Sequence, residues 1–223
     1  MYAIKLNEPA IQKLHDPVVV ARIIAGEKEL FELLLRRYNQ KLYRVIRSYL
    51  RNPDDIEDAM QDTYLKAYNR LDQFRGDSSF STWLIRIGIN EALQRIKKDT
   101  RIKRLHEGDA DPMNKELIQL PDSRNVNPEK ITIGKEVKNL IERAIDELPE
   151  KYRVIYVLKE IQGMETHELC ECIGIQESNV KVRLHRAKNL MKETLLRLSS
   201  DPEIFEFGSA RCDALVNNVM RKI

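Results

Sequence analysis

Glycine and proline are scarce in this chain, eight of each in 223 residues, and most fall between segments of apolar periodicity rather than inside them. That scarcity argues against a turn-dense β fold and favours helices. Cysteine is scarcer still. Cys170, Cys172 and Cys212 are too few and too oddly placed for a disulfide framework, so a reducing compartment is expected. The opening "MYAIKLNEPAIQKLHDP" has no basic-then-apolar leader, and no run is long and apolar enough to span a membrane. A cytoplasmic protein without direct membrane insertion is therefore expected. Nor does one sign of charge dominate: 38 Lys and Arg stand against 35 Asp and Glu, a net of +3. What the charges say must lie in how they segregate along the chain.

What is present is helical periodicity. "DPVVVARIIAGEKELFELLLRRYNQKLYRVIRSYL" carries apolar residues at Val20, Ile23, Ile24, Leu30, Leu34, Tyr38, Leu42, Val45, Ile46 and Tyr49, broken at Gly26. Asn52-Pro53 interrupts the stripe, with Asp54 or Asp55 expected to cap the next helix. That helix, "DIEDAMQDTYLKAYNRL", is followed by a glycine-containing loop and by "STWLIRIGINEALQRIKK", with Ser79 or Ser81 as cap. Periodicity then lapses from about residue 105 to 130, a stretch rich in Asp, Asn, Pro and Gly that reads as a flexible linker. A second helical block follows, over 131–198, with breaks at Pro149, Gly163 and Gly174, and a short extension, 199–223, closes the chain. The expected architecture is all-α: two small helical domains, 16–104 and 131–198, with a linker and a tail.

The second block contains a helix–turn–helix pattern. A short helix ends near Cys172, Gly174 makes the turn, and a longer helix presents Val180, Leu184, Ala187 and Met191 on one face. The other face shows Lys181, Arg183, His185, Arg186 and Lys188, side chains suited to phosphates and base edges in a major groove. In the first block, Asp54 to Asp62 carries five acids and no base, whereas Arg86 to Arg104 carries seven bases against Glu91 and Asp99. A basic strip suits nucleic acid; an acidic strip beside it must face something else, because acids repel phosphate. A basic protein partner would answer.

Two catalytic or metal-binding alternatives are open to the same residues. Asp54 and Asp58 share a helix face and suit Mg²⁺ as in a nuclease, but no histidine or lysine stands nearby as a base. His167, Cys170 and Cys172 invite zinc, yet a helix turns Cys172 away from the other two and no fourth ligand is evident. No cofactor, metal site or catalytic residue is expected. A stand-alone helix–turn–helix regulator accounts for the second block, though it leaves the acidic helix and the "FRGDSSF" loop without a purpose.

Taken together, "DDIEDAMQDTYLKAYNRLDQFRGDSSFSTWLIRIGINEAL" and "LPEKYRVIYVLKEIQGMETHELCECIGIQESNVKVRLHRAKNLM" resemble the extracytoplasmic-function sigma factors of bacterial RNA polymerase. The likeness covers most of Asp16 to Leu198, in the order domain two, linker, domain four. It implies a promoter-specificity subunit whose partners are core RNA polymerase (β′ and β subunits), promoter DNA and, in many members, an anti-sigma factor. On the matching positions, Asp58, Gln61 and Asp62 would dock on the β′ coiled coil. Asp72, Phe74, Arg75, Gly76, Asp77, Ser78 and Ser79 would open the −10 region and hold a flipped base, with Asn90 lining that pocket. Extracting a base costs a few kcal/mol of unstacking, which hydrogen bonds and stacking in a pocket repay. Phe80 and Trp83 read as core that braces the loop. Asn179, Lys181, Arg183, His185 and Arg186 would read the −35 element. "SNVKVR" replaces the family's common Gly-Thr-Val-Lys-Ser-Arg wording, which leaves the promoter sequence open.

Overall fold

The computed structural model describes residues 9–106 and 128–199. All regular elements within them are helical: α1 Pro9–Gln12, α2 Asp16–Ile24, α3 Phe31–Tyr49, α4 Pro53–Asn69, α5 Phe80–His106, α6 Pro128–Glu147, α7 Glu150–Tyr156, α8 Thr166–Ile173 and α9 Glu177–Ser199. A 3-10 turn at Lys28–Leu30 leads into α3, another at Leu71–Gln73 follows α4, and α7 widens into a π segment, Val157–Ile161. The all-α class is thus as the residue pattern indicates. Both ends of the expected linker are helical, since α5 runs on to His106 and α6 starts at Pro128. The 201–223 tail, with Cys212, lies outside the described residues.

Boundaries follow local chemistry. Asn52, not Asp54 or Asp55, caps α4: its side-chain oxygen accepts from the Asp54 N–H at 2.8 Å, and Pro53 takes the first helical position. The two aspartates occupy the first turn instead, where negative charge meets the positive end of the helix dipole. Of the two serines able to cap α5, Ser79 does so, its Oγ accepting from the Thr82 N–H at 3.1 Å. Gly174 ends α8 at φ +74, a left-handed conformation that makes the tight turn into α9.

Helices α3, α4 and α5 pack around Leu34, Leu42, Ile46, Ile56, Leu84, Ile85 and Ile89, all essentially without exposure. Gly88 sets how closely they approach. A Cβ added there would stand 2.7 Å from Leu42 Cδ1 and 3.6 Å from Thr63 Cγ2. Val154, Ile155, Leu158, Leu169, Cys172 and Val180 continue the same apolar core, so the helix–turn–helix is not packed apart from the first block. Arg153 of α7 secures that continuity. Only 6% exposed, it donates from Nε to the Ser48 carbonyl at 2.7 Å and from Nη1 to the Leu148 carbonyl at 2.9 Å. Ser48 lies in the last turn of α3, where carbonyls lack intrahelical donors and the dipole is negative.

By packing, the chain forms two compact units. One joins α1–α5 to Leu148–Lys188; the other takes α6 and the end of α9 from Asn189. In the second, Arg197 pairs with Glu147, and Ala144 and Met191 are buried.

Candidate nucleic-acid interface

Three surfaces carry the side chains singled out in the sequence, and each is built differently. The first is the outer face of α4. Asp58 and Gln61 are exposed and Asp62 half-buried. Arg95 of α5 donates to both acids, to Asp62 at 2.7 Å and to Asp58 at 3.4 Å. The acidic helix is therefore partly neutralised from within, by a base of the strip expected to hold nucleic acid. An Mg²⁺ pair of Asp54 and Asp58 would have to displace that guanidinium. Deeper in, Glu91 is almost fully buried and takes both of its hydrogen bonds from Lys66 Nζ at 2.7 Å. Leu65 stands 58% exposed one turn beyond Gln61, an apolar element of this face that charge counting did not reveal.

The second surface is the loop between α4 and α5. Asp72, Arg75, Gly76, Asp77 and Ser79 are exposed, Ser78 half-buried. Gly76 takes φ +78, which a side chain at that position would strain. Beneath the loop lies an aromatic platform. Phe74 packs edge-on against Phe80 at 5.6 Å and tilted against Trp83 at 5.5 Å, while Tyr38 meets Phe80 at 5.6 Å. Phe80 is buried, and Phe74 and Trp83 are half-buried. Tyr38 donates its hydroxyl to Asp16, which Arg37 also holds, so the start of α2 is brought to the same place. Burial, then that hydrogen bond, push the Tyr38 hydroxyl well above the usual tyrosine range.

A cleft of about 570 Å³ opens here, lined by Phe74, Gly76, Asp77, Ser78, Ser79 and Phe80 together with His15–Pro17 of the α2 start and His167 and Glu168 of α8. Five of the loop residues expected to hold a base are thus gathered in one concavity, and Asp72 and Arg75 stand outside its lining. Asn90 is also outside it, eleven residues beyond Ser79 and so about 16 Å along the axis of α5. Reasoning from the sequence missed α8 at this site altogether. Glu168 Oε1 accepts from the Thr82 hydroxyl at 2.6 Å, and Arg86 donates to Glu171 at 3.1 Å. Cys172 is buried against the Thr82 carbonyl; desolvation pushes its thiol up to about 11. Among the described residues no group of three or more His, Cys, Asp or Glu is arranged to hold a metal ion.

The third surface is α9. Val180, Ala187 and Met191 are buried, whereas Asn179, Lys181, His185 and Arg186 are exposed and Arg183 half-buried. Lys181 bonds Glu177 one turn back at 2.7 Å; that bond lifts the lysine and lowers the glutamate from their usual ranges. Val182 is 68% exposed, opposite the buried stripe and amid these polar side chains.

Comparison with known proteins finds matches to both helical blocks. The family model for Sigma-70 region 2 matches residues 34–102, and that for Sigma-70, region 4 matches 138–191. The ECF RNA polymerase sigma-E factor of Escherichia coli (strain K12) is 32% identical over 179 residues, 79% of this chain and 92% of that protein. The same factor from Haemophilus influenzae is 27% identical over 194 residues, 82% of this chain and 97% of its own. Among solved structures, the sigma factor RpoE in complex with the anti-sigma factor NepR from Bartonella quintana shares the fold at a TM-score of 0.60. It is 22% identical, covering 76% of this chain and 98% of that one. CnrH in complex with the cytosolic domain of CnrY gives 0.54 at 24% identity, with 83% of this chain and 99% of that one covered. Among the described residues no helix is long and apolar enough to cross a membrane.

Proposed function

The chain belongs to the extracytoplasmic-function sigma factors of RNA polymerase, and we propose that it directs core polymerase to promoters by dividing the work among the three surfaces described above. In this reading residues 16–104 bind core polymerase and melt the −10 region, and 131–198 read the −35 element. The 105–130 segment links them, and 199–223 is an extension with no assigned role. The chain supplies no catalysis of its own, works in the cytoplasm, and is open to restraint by an anti-sigma factor.

The outer face of α4 docks on β′. Asp58, Gln61 and Asp62 meet a basic partner, and Leu65 supplies apolar area at the edge of that patch. The loop captures a base from the non-template strand in the cleft, where Asp77, Ser78 and Ser79 offer hydrogen bonds. Helix α9 enters the major groove with Arg183 and Arg186 for base edges, Lys181 for a phosphate and Asn179 for either. The observation that carries the reading is the cleft: a polar, glycine-hinged loop held on a packed aromatic floor beside the start of a helix. A connector between two helices needs no such floor. A loop that must repay the unstacking of a base does.

The test is transcription by core polymerase plus this chain on a pooled library of native promoters. Discrete start sites preceded by a shared two-part motif are expected. Gln61→Lys should abolish them while leaving the Arg95 pairs of Asp58 and Asp62 in place. Failure of the wild-type chain to associate with core polymerase and to yield transcripts would overturn the proposal.

A further inference from the structure

The edge of α5 that follows the loop is already occupied, and by acids of the same chain. Thr82 is buried, and its Oγ1 lies 2.8 Å from Ser79 Oγ while bonding Glu168. Glu168 is held at both oxygens, since Oε2 also accepts from the Glu165 N–H at 3.3 Å. One turn along α5, Arg86 carries Glu171. Thr82 and Arg86, four residues apart, share a face of α5; Glu168 and Glu171, three apart, share a face of α8. Two donors thus meet two carboxylates in register, at the wall of the cleft that Glu168 itself helps to line.

We propose that the Thr82–Arg86 edge is a seat for phosphates of the promoter's displaced strand, and that Glu168 and Glu171 fill it from within until DNA takes their place. The inference rests on the reading of the loop as the −10 element and adds how that element is guarded. Carboxylate and phosphate oxygens compete for the same hydroxyl and guanidinium donors. The acids also repel an approaching backbone, so strand entry and α8 docking exclude one another. The two pairs differ in a way that suits a releasable latch. Arg86 and Glu171 are about half-exposed, so water and salt screen them and the pair opens readily. The Glu168–Thr82 bond is more enclosed and gives the docking its register.

Binding of a short, mixed-sequence, fluorescein-labelled single-stranded DNA to the full chain at low salt tests this, because phosphate contacts carry no sequence information. Glu168→Gln/Glu171→Gln should bind roughly fivefold to tenfold more tightly than the wild type. The control Glu29→Gln/Glu193→Gln removes the same charge from two exposed positions outside α8 and should gain clearly less. Adding Arg86→Gln or Thr82→Val to the first variant should erase its gain. The Arg86 change is at an exposed side chain, so it decides the matter if the Thr82 variant is poorly folded. A gain no larger than the control's, or one untouched by Arg86→Gln, would overturn the proposal. The assay contains neither polymerase nor promoter. A failure of the sigma-factor reading would appear in core-dependent transcription and leave this result standing.

Discussion

The melting loop and the recognition helix are both read as DNA-binding, yet the structure treats them in opposite ways. On α9 Asn179, Lys181, His185 and Arg186 face solvent, Lys181 bonding Glu177 of its own helix one turn back. Only further along does Lys188 of this face pair outside the helix, with Glu160. At the loop and along α5 the donors have partners from distant parts of the chain: Thr82 and Arg86 with α8, Arg95 with α4. The proposed division of tasks accounts for the difference. A duplex presents its major groove without being changed, so a reader can stand exposed. A single strand exists only after melting, and a site for it would otherwise bind stray anions and unpaired nucleic acid. Internal carboxylates offset that hazard at the modest energetic cost of exchanging one set of hydrogen bonds for another.

The largest effect is expected where the two blocks join. Arg153→Ala removes two charge-assisted bonds from buried carbonyls and should lower unfolding stability by about 3 kcal/mol, read as a shift in denaturant midpoint. A shift below a few tenths would mean that α7 does not depend on the end of α3. Next comes helix spacing. Gly88→Val forces branched carbons against Leu42 and Thr63 and should cost about 2 kcal/mol by the same measurement, with Gly88→Ala costing less.

On α9 the effects move from stability to recognition. Arg183→Ala should weaken binding of holoenzyme to its selected promoters by about 1–3 kcal/mol, concentrated at particular base pairs, whereas Lys181→Ala should weaken all sequences about equally. Promoter selection from a randomised −35 library separates the two. Val182→Ser removes the only apolar group at the centre of that face and should relax a preference for thymine, whose methyl group it is placed to meet, by about 1 kcal/mol or less at one position. The smallest effect concerns the contact beneath the melting edge. Cys172 has its folded-state thiol raised to about 11, above the ordinary value of about 8.5, so its contribution is complete below pH 8.5 and lost as pH rises towards 11. Cys172→Ala should flatten the start of the alkaline fall in stability. At pH 8, peptide mapping after brief alkylation should find half-buried Cys170 modified and Cys172 protected.

Much of the fold was legible because its signals are local. The i, i+4 stripe of Val180, Leu184, Ala187 and Met191, the turn at Gly174 and the breaks at Gly26, Pro149 and Gly163 each act within a few residues. The cap of α4 lies two or three residues before the expected one, since Asp54, Asp55 and Asn52 are all able to cap and only backbone geometry selects among them. The site divided in the same manner. The loop, the acidic helix and the reading face of α9 stand as contiguous or periodic residues. The partners of Asp58, Asp62 and Thr82 do not, being 37, 33 and 86 residues away.

By itself the sequence determined the helices, their order, the polar loop between acidic and basic segments, and the residues each surface offers. Those follow from periodicity, glycine and proline placement and charge order, which short-range sterics and solvation decide. Only the tertiary structure decided which of those residues are free. Arg95 and Lys66 look like members of a DNA-binding strip or an exposed helix until the packing of α4 on α5 sets them against carboxylates. Glu168 and Glu171 look like ordinary helix acids until the docking of α8 seats them on Thr82 and Arg86. Pairing between charges distant in the chain depends on how helices pack, and that is settled by the shape of a shared core rather than by any local pattern.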